Sequence, residues 1–257
     1  MRKTFFILVM VGVILISYIS YAQESADMTP ERAFYRANLY YEAGNYTGAI
    51  EKDESILDKG LKSGNLYYNL GNAYFKNGEL GKAILNYERA RRLMPRDSDL
   101  LSNYRHAKSL MKRPDPPSKR FLAFKWLDQG MAYLTLKQSM MLGFILYYLL
   151  VVYMITTKVF KRYARYSTLI TYVLCILLAL VIIPTAQKIK DLNQGAIITA
   201  KIIDARFEPL KDAAVHFPIY EGMKVYILRT KGGWCKIKRP DGKIGWLPKT
   251  ALGIIGV

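Results

Sequence analysis

Three long apolar runs stand out along a chain whose remaining sequence mixes polar and apolar side chains. The first run, Phe5 to Ile19, follows two basic residues and precedes the small residues of Ser20-Tyr21-Ala22. This order is typical of a secretory signal peptide that is cleaved after Ala22. We therefore predict that residues 1–22 are a signal peptide, with an uncleaved anchor as the alternative, and that the following domain is exported.

The second and third runs, residues 138–157 and 166–187, contain no charged side chain. As helices with a rise of about 1.5 Å per residue, each spans roughly 30 Å, the thickness of a bilayer core. We predict a transmembrane hairpin over residues 138–187, with helices buried in a soluble domain as the alternative. Its loop, residues 158–165, holds four basic residues, and short basic loops stay in the cytoplasm. We therefore expect a multi-pass protein of the cytoplasmic (inner) membrane with both soluble domains in the periplasm.

Residues 23–113 contain a helical pattern that repeats with a period of 34 residues. Small residues at matching places allow two helices to pack closely, and glycine suits the left-handed end of the first helix. The matched pairs are Ala37 with Gly71, Tyr40 with Tyr74, Gly44 with Gly78, and Ala49-Ile50 with Ala83-Ile84. The first copy departs from the second where Asp53 stands in place of Tyr87. A further helical pattern over 99–112 is expected to cap the open end.

These matched residues resemble the tetratricopeptide repeat. The resemblance implies antiparallel helix pairs whose first helices line a groove that binds extended peptides or helices. The groove positions that it implies are Phe34, Asn38, Tyr41, Glu42, Tyr68, Asn69, Asn72, Phe75 and Lys76. Asn38 and Asn72 occupy equivalent places, and an asparagine amide can bind both the N–H and the C=O of a peptide backbone. The alternative is that these side chains only cover the seam between the repeats.

Residues 114–137 connect the repeats to the predicted hairpin. The connector Pro114-Asp115-Pro116-Pro117 is short and stiff. Apolar residues then recur at helical spacing at Phe121, Phe124, Leu127, Met131 and Leu134. This spacing predicts an amphipathic helix that lies on the outer face of the membrane, with an ordinary domain-packing helix as the equal alternative.

The last part of the chain, residues 194–257, contains several short stretches rich in β-branched residues, with an Asp241-Gly242 pair that favours a tight hairpin turn. This predicts a small all-β barrel, and the two Gly-Trp pairs, Gly233-Trp234 and Gly245-Trp246, resemble those of bacterial SH3-like domains. The candidate ligand surface consists of Tyr220, Trp234 and Trp246, of which Tyr220 and Trp246 are expected to be the more exposed. The alternative is that these aromatic residues support the barrel.

The charge of the chain points to a membrane rather than to nucleic acid. The formal net charge is +18, but residues 23–113 contribute only +3, whereas residues 114–193 contribute +7 and residues 194–257 contribute +6. The excess of basic residues therefore lies around the apolar runs and in the last domain. Such a distribution favours anionic lipid headgroups over a nucleic-acid partner.

The sequence contains no motif typical of catalysis or of cofactor binding. There is no nucleophile elbow, zinc-protease motif, phosphate-binding loop or dinucleotide fingerprint. Two cysteines, Cys175 and Cys235, and two histidines, His106 and His216, are spaced too far apart to indicate a metal site. We therefore predict a protein that is not an enzyme and that binds no cofactor or metal, although an unrecognised catalytic site is a weaker alternative.

The order of signal peptide, helical repeats, apolar hairpin and SH3-like domain is similar to that of the BatE-type proteins of bacterial aerotolerance operons. That resemblance implies partnership with exported or membrane proteins of the same operon, including von Willebrand A-domain proteins, and a role in aerotolerance or envelope stress. We predict a membrane-anchored scaffold that presents two binding modules in the periplasm. The alternative is a cell-wall anchor whose SH3-like domain binds peptidoglycan while the repeats recruit a peptidoglycan enzyme.

Overall fold

The computed structural model describes residues 29–117, 121–159 and 167–256. The predicted signal peptide and most of the predicted cytoplasmic loop lie outside these residues. The described chain begins with five helices, continues through a short helix and two long apolar helices, and ends in a seven-stranded sheet.

The first five helices form the repeat domain. Their bounds are α1 (Pro30–Glu42), α2 (Tyr46–Asp58), α3 (Gly64–Lys76), α4 (Leu80–Leu93) and α5 (Ser98–Ser109). The helices α1 and α2 pair as one hairpin and α3 and α4 as a second, and α5 packs on the second. Gly44 and Gly78 follow α1 and α3 with φ of 76° and 79°, and these are left-handed values that favour glycine at a helix end. The structure therefore contains the two helix pairs and the additional helix that the 34-residue period predicts.

The helix starts are fixed by side-chain caps that the sequence supplies at regular places. Asn45 Oδ1 accepts a hydrogen bond from the backbone N–H of Gly48 at 3.0 Å, and Ser63 Oγ accepts one from Leu66 at 3.1 Å. Asp97 does the same for Leu100 at 2.8 Å. Each cap satisfies one of the N–H groups that a helix start leaves without a partner. Thr29 Oγ1 likewise accepts from the backbone N–H of Arg32, so the local sequence determines where four of the five helices begin.

Three further helices follow the repeats. They are α6 (Leu122–Met131), α7 (Leu136–Val159) and α8 (Ser167–Gln194), and α7 packs along α8. Lys188 of α8 connects α8 to the end of α6, because its Nζ donates to the carbonyl oxygens of Met131 and Leu134, each at 2.6 Å. The ammonium group thereby satisfies two carbonyls at the end of α6. The helix α8 then continues without a linker into the first strand.

The C-terminal strands form an open antiparallel sheet. Their bounds are β1 (Gly195–Ile198), β2 (Ile202–Arg206), β3 (Val215–Tyr220), β4 (Lys224–Lys231), β5 (Trp234–Lys238), β6 (Ile244–Pro248) and β7 (Leu252–Ile254). The strand order is β3-β2-β6-β5-β4-β1-β7. Within residues 195–256, β3 and β7 are the two edges and do not pair with each other, so the predicted SH3-like barrel is not confirmed. A closed barrel needs a hydrogen-bonded pair between the two edge strands. Here β7 pairs with β1 and β3 pairs with β2, so the sheet stays open.

The repeat domain and the sheet share one hydrophobic core. Buried residues of α4, such as Ile84 and Leu85, belong to the same cluster as Ile198 and Val225 of the sheet. The approach is close: a Cβ placed on Gly81 would lie 2.6 Å from the carbonyl oxygen of Ile198. The sequence predicts the repeats and the last domain as separate modules, whereas the structure packs them into one unit.

Polar contacts fix the relative position of the two parts. The backbone N–H of Gly81 donates to Glu221 Oε1 at 2.8 Å, and Arg89 Nη2 donates to the carbonyl oxygen of Ile254 at 2.7 Å. Within the repeats, buried Glu88 of α4 accepts from Tyr104 Oη of α5 and from Arg91 Nη2, both at 2.8 Å. Hydrogen bonds to charged groups are directional and strong, so the contacts of Gly81 and Arg89 with the C-terminal part select one docking geometry.

The buried carboxylate at this junction stays ionised. Burial opposes the charged form of Glu88, but the positive charges of Arg91, Lys224 and Arg92 outweigh burial and lower the carboxyl pKa well below its usual range. The charge of Glu88 therefore stabilises the docked arrangement at neutral pH.

Candidate functional site

The first three helices enclose a pocket of about 140 Å³. Five of the nine predicted groove residues line it, namely Asn38, Tyr41, Glu42, Asn69 and Asn72. The remaining wall consists of small residues of α1, α2 and α3 together with Asp53 of α2. No residue of the sheet lines this pocket, because the sheet packs on α4 at another side of the repeats. The structure thus brings together the central part of the predicted groove and leaves it open.

The other four predicted groove residues lie outside this pocket. Phe34 packs against the small cluster of Ala33, Ile56 and Leu66 at the start of the repeats. Tyr68 is half-buried and accepts a hydrogen bond from Asn103 at 3.0 Å. The rings of Phe75 and His106 lie 5.5 Å apart, and Lys76 is exposed. These residues therefore extend along α3 toward α5 rather than gathering around one point.

The asparagines of the groove differ in how they are held. Asn69 Nδ2 donates to Asn38 Oδ1 at 2.9 Å, which joins α1 to α3 across the pocket. Asn72 Oδ1 accepts from Tyr87 Oη at 2.7 Å and from Asn103 Nδ2 at 3.0 Å. Asn72 therefore links α3 to both α4 and α5, and its amide supports the fold as well as lining the pocket.

Asp53 also lines this pocket, although it is not among the predicted groove residues. Its side chain is 1% exposed, and its Oδ1 has no hydrogen-bond partner among the described residues. Desolvation by burial raises the pKa of Asp53 to about 7. A polar residue at the place where the second copy has a large aromatic side chain was the signal that could have identified it. A buried carboxyl with an unsatisfied oxygen costs free energy unless a ligand provides a hydrogen-bond donor.

The predicted aromatic surface of the sheet is only partly accessible. Trp246 is 8% exposed, so the expectation that it is one of the more exposed aromatics is wrong. It is covered because its neighbouring strands lie on both sides, with Arg206 of β2 and Lys236 of β5 as its pairing partners. Tyr220 is half-buried beneath Arg113, whose guanidinium carbon lies 5.3 Å from its ring centre. Trp234 is also half-buried, so the three residues do not form one open aromatic surface.

Metal-ligating side chains do not gather at either place. Among residues 29–117, 121–159 and 167–256, no group of three or more histidine, cysteine or acidic side chains has a geometry that could hold a metal ion. The chemistry available in the pocket is therefore that of carboxyl, amide and phenol groups.

Comparison with known proteins agrees with the second copy of the repeat. The family model of the tetratricopeptide repeat matches residues 64–97, which span α3, α4 and the turn that follows. A search of the curated proteins finds no match to the chain. The match supports a helical-repeat protein of tetratricopeptide type, a class that suggests a protein-interaction scaffold. Membership of the BatE-type family stays a prediction.

Proposed function

We propose that this protein is a non-enzymatic, membrane-anchored scaffold that captures a polypeptide in the groove of its helical repeats. The observation that supports this proposal most directly is the open pocket with the unpartnered carboxyl of Asp53 at its wall. Buried polar groups are normally hydrogen-bonded, so side chains that only cover a seam between repeats would not be expected to include an unpartnered carboxyl oxygen.

The pocket favours a polypeptide that presents a basic side chain. Asp53 and Glu42 provide carboxyl groups, and Asn38 and Asn69 provide amides beside them. A lysine or arginine side chain entering the pocket gives Asp53 Oδ1 the donor that it lacks, and it favours the ionised carboxylate. The half-buried ring of Tyr41 then offers a surface for the apolar stem of the same side chain.

Two helices support anchoring in a membrane. The structure contains two helices long and apolar enough to cross a bilayer, Leu136–Val159 and Thr168–Gln194. Only 6% and 17% of their most apolar windows are buried, whereas the core helix of a soluble protein is mostly buried. The exposed side chains include large apolar ones such as Phe144 and Leu169, which a bilayer would cover. On extraction of membranes with alkaline carbonate, we expect the protein to remain in the pellet.

We further propose that both soluble parts face the periplasm. The predicted signal peptide and the basic loop over residues 158–165 support this orientation. Protease added to spheroplasts should digest the repeats and the sheet. Protection of the sheet from protease would contradict this orientation without bearing on the groove.

The setting of this scaffold follows from its order of parts. That order is similar to the BatE-type proteins, so we propose that the captured polypeptide is an exported or membrane protein of the same operon, such as a von Willebrand A-domain protein, in an aerotolerance or envelope-stress complex. The burial of Trp246 weakens the alternative of peptidoglycan binding, because it removes one of the three residues of the candidate ligand surface from solvent.

Photo-crosslinking in cells tests the groove directly. Benzoylphenylalanine replaces Lys76, an exposed member of the predicted groove on α3, and exposed Glu51 on α2 is the position of the matched control. We expect a crosslinked polypeptide from position 76 and none from position 51. Equal crosslinking from both positions, or none from either, would count against groove capture.

A further inference from the structure

A second, larger cavity lies where the repeats, the apolar helices and the sheet meet. Its volume is about 690 Å³. Arg91 and Arg92 of α4 form one wall, Lys125 of α6 forms another, and the last turns of α8 form the floor. The hairpin between β5 and β6 closes the far side through Pro240 and Gly242. No part of this cavity belongs to the groove of the repeats.

The cavity is strongly basic. Seven lysine and arginine side chains line it, against the two carboxylates of Asp128 and Asp191, so the lining carries a net charge of five positive units. Lys224 lies 2.5 Å from Asp191 Oδ2 and neutralises that carboxylate. Lys188 already donates its Nζ to the carbonyl oxygens of Met131 and Leu134, so this cation is held by neutral oxygen atoms.

Two of the seven cations already have a carboxylate partner. Arg91 pairs with Glu88 at 2.8 Å, and Arg239 pairs with Asp241 at 2.6 Å. The five without a carboxylate within salt-bridge distance, counted over the part of the chain that the structure describes, are Arg92, Lys125, Lys188, Lys190 and Lys238. The lining therefore carries an excess of positive charge that attracts an anion.

Arg92 is the best placed of these cations to bind an anion. Its Nη2 donates to the carbonyl oxygen of Asp191 at 3.3 Å, a long contact to a neutral group. Desolvation by burial lowers the pKa of its guanidinium group, and the negative charges of Glu88 and Asp191 offset only part of that effect. The planar fork of arginine matches the oxygens of a phosphate group, and Lys190 and Lys238 lie in the same lining.

Apolar residues complete the lining on the side of the long helices. Leu134 and Leu136 stand at the start of α7, and Pro184 lies in α8. The cavity therefore combines a basic part with an apolar part, a combination that fits an anion carrying an apolar tail. A soluble anion such as inorganic phosphate uses only the basic part.

The position of the cavity fits the edge of a bilayer. It lies at the end of the apolar hairpin where the chain enters the soluble parts. Beside it, α6 exposes Trp126 at 74% and the preceding Phe121 at 71%. Tryptophan is typical of the membrane–water interface, and basic residues there attract anionic headgroups.

We propose that this cavity is a specific site for the phosphate headgroup of an anionic phospholipid, with Arg92 as its principal phosphate ligand and Lys190 and Lys238 as supporting ligands. The site rests on the membrane anchoring proposed above and is independent of capture in the groove. A bound lipid would join α4 of the repeats to α8 and to the sheet, and so hold the groove at a fixed orientation to the membrane.

Native mass spectrometry of the full chain in detergent tests this site. The protein is incubated with phosphatidylglycerol or with phosphatidylcholine, and the retained lipids are counted. We expect one tightly retained phosphatidylglycerol and no comparable retention of phosphatidylcholine. Equal retention of both lipids would overturn the proposal.

Charge-matched variants separate a specific site from a general effect of charge. Arg92→Gln and the pair Lys190→Gln with Lys238→Gln should each weaken retention of phosphatidylglycerol about tenfold or more. The pair Lys62→Gln with Lys201→Gln removes the same charge from exposed positions outside the cavity and should change nothing. Lys190 and Lys238 are exposed, so their loss should spare the fold even if Arg92→Gln does not. Equal weakening by the control pair would refute a specific site.

Competition with inorganic phosphate distinguishes a site for a lipid headgroup from a site for a soluble phosphate. If millimolar phosphate displaces phosphatidylglycerol completely, the cavity is a site for a soluble phosphate and the lipid proposal fails. Retention of the lipid in phosphate supports it. Release of the protein from membranes by carbonate would instead contradict anchoring, so the two failures are distinguishable.

Discussion

The two repeats have the same helical pattern but differ at one pair of equivalent positions. In the second repeat, Tyr87 fills the space beside Gly71, and its hydroxyl donates to Asn72 at 2.7 Å. In the first repeat, Asp53 stands 34 residues earlier, beside Ala37 and Asn38, and a pocket of about 140 Å³ takes the place of the ring. The second repeat is thereby sealed, whereas the first is open and has an unpartnered carboxyl oxygen.

This difference distinguishes the second repeat, which is packed throughout, from the first repeat, which we propose to be the one that binds. The second repeat uses its aromatic residue to join three helices, and its other side packs against the sheet through α4. The first repeat has no aromatic ring at the equivalent position, Asp53, and so lacks that packing. Because a buried carboxyl destabilises the fold, its presence there is best explained by recognition.

The largest effect should come from the ionisation of Asp53. Its pKa is about 7 in the folded protein and 3.8 in the reference state, so the folded state binds more protons between these values. The free energy of unfolding should therefore fall as the pH rises from about 4 to about 7, by up to about 4 kcal/mol. The other titratable groups that line the pocket are Tyr41 and Glu42.

The matched variant Asp53→Asn isolates this effect. Melting temperatures of the full chain in detergent should be similar for both proteins at pH 4.5, and the variant should be the more stable at pH 8. A difference that does not depend on pH would show that Asp53 is not protonated in the folded protein at low pH.

A smaller effect is expected from added volume at the equivalent small residues. A Cβ on Gly71 would lie 2.6 Å from the Tyr87 ring, so Gly71→Val should cost about 1–3 kcal/mol by overpacking. Ala37 lines the pocket, so Ala37→Val adds its methyl groups where there is room. Thermal melting should show a clear loss for the first variant and a smaller one for the second. Equal losses would mean that the two repeats are packed alike.

The smallest effect on stability is expected from replacing each of the two equivalent asparagines, Asn38 and Asn72, by alanine. Asn72→Ala leaves Tyr87 Oη and Asn103 Nδ2 without their acceptor, and a lost hydrogen bond of this kind costs about 1 kcal/mol. Asn38→Ala removes only the acceptor of Asn69, at the mouth of the pocket. We expect the melting temperature to fall more for Asn72→Ala, by a few degrees. A larger fall for Asn38→Ala would reverse the roles assigned to the two repeats.

Much of the repeat domain could be predicted because its signals are local. The glycines after α1 and α3 and the caps at Asn45, Ser63 and Asp97 all lie within one helical turn of the helix ends that they determine, and the period of 34 residues repeats this local pattern. Long uncharged runs likewise predicted α7 and α8 from composition alone. These features can be recognised from the local sequence without knowing which distant segments pack against them.

Contacts between distant segments could not be predicted in the same way. Gly81 and Gly222 permit α4 to approach the sheet, yet a glycine gives no indication of which distant segment will pack against it. The open sheet and the burial of Trp246 also depend on strand order, which short β-patterns do not determine. Asp53 was visible as a departure from the repeat, but only the enclosing helices show that it lines a pocket.

The most direct test of the central claim is selection of peptides by the full chain in lipid nanodiscs. A random peptide library is selected on the natural protein and on the double variant Ala37→Gly with Asp53→Tyr, which gives the first repeat the residues of the second. We predict that the natural protein enriches peptides with lysine or arginine at one fixed position. The folded double variant should bind those peptides at least about tenfold more weakly. Equal binding by both proteins, or enriched peptides without a shared basic residue, would contradict the account.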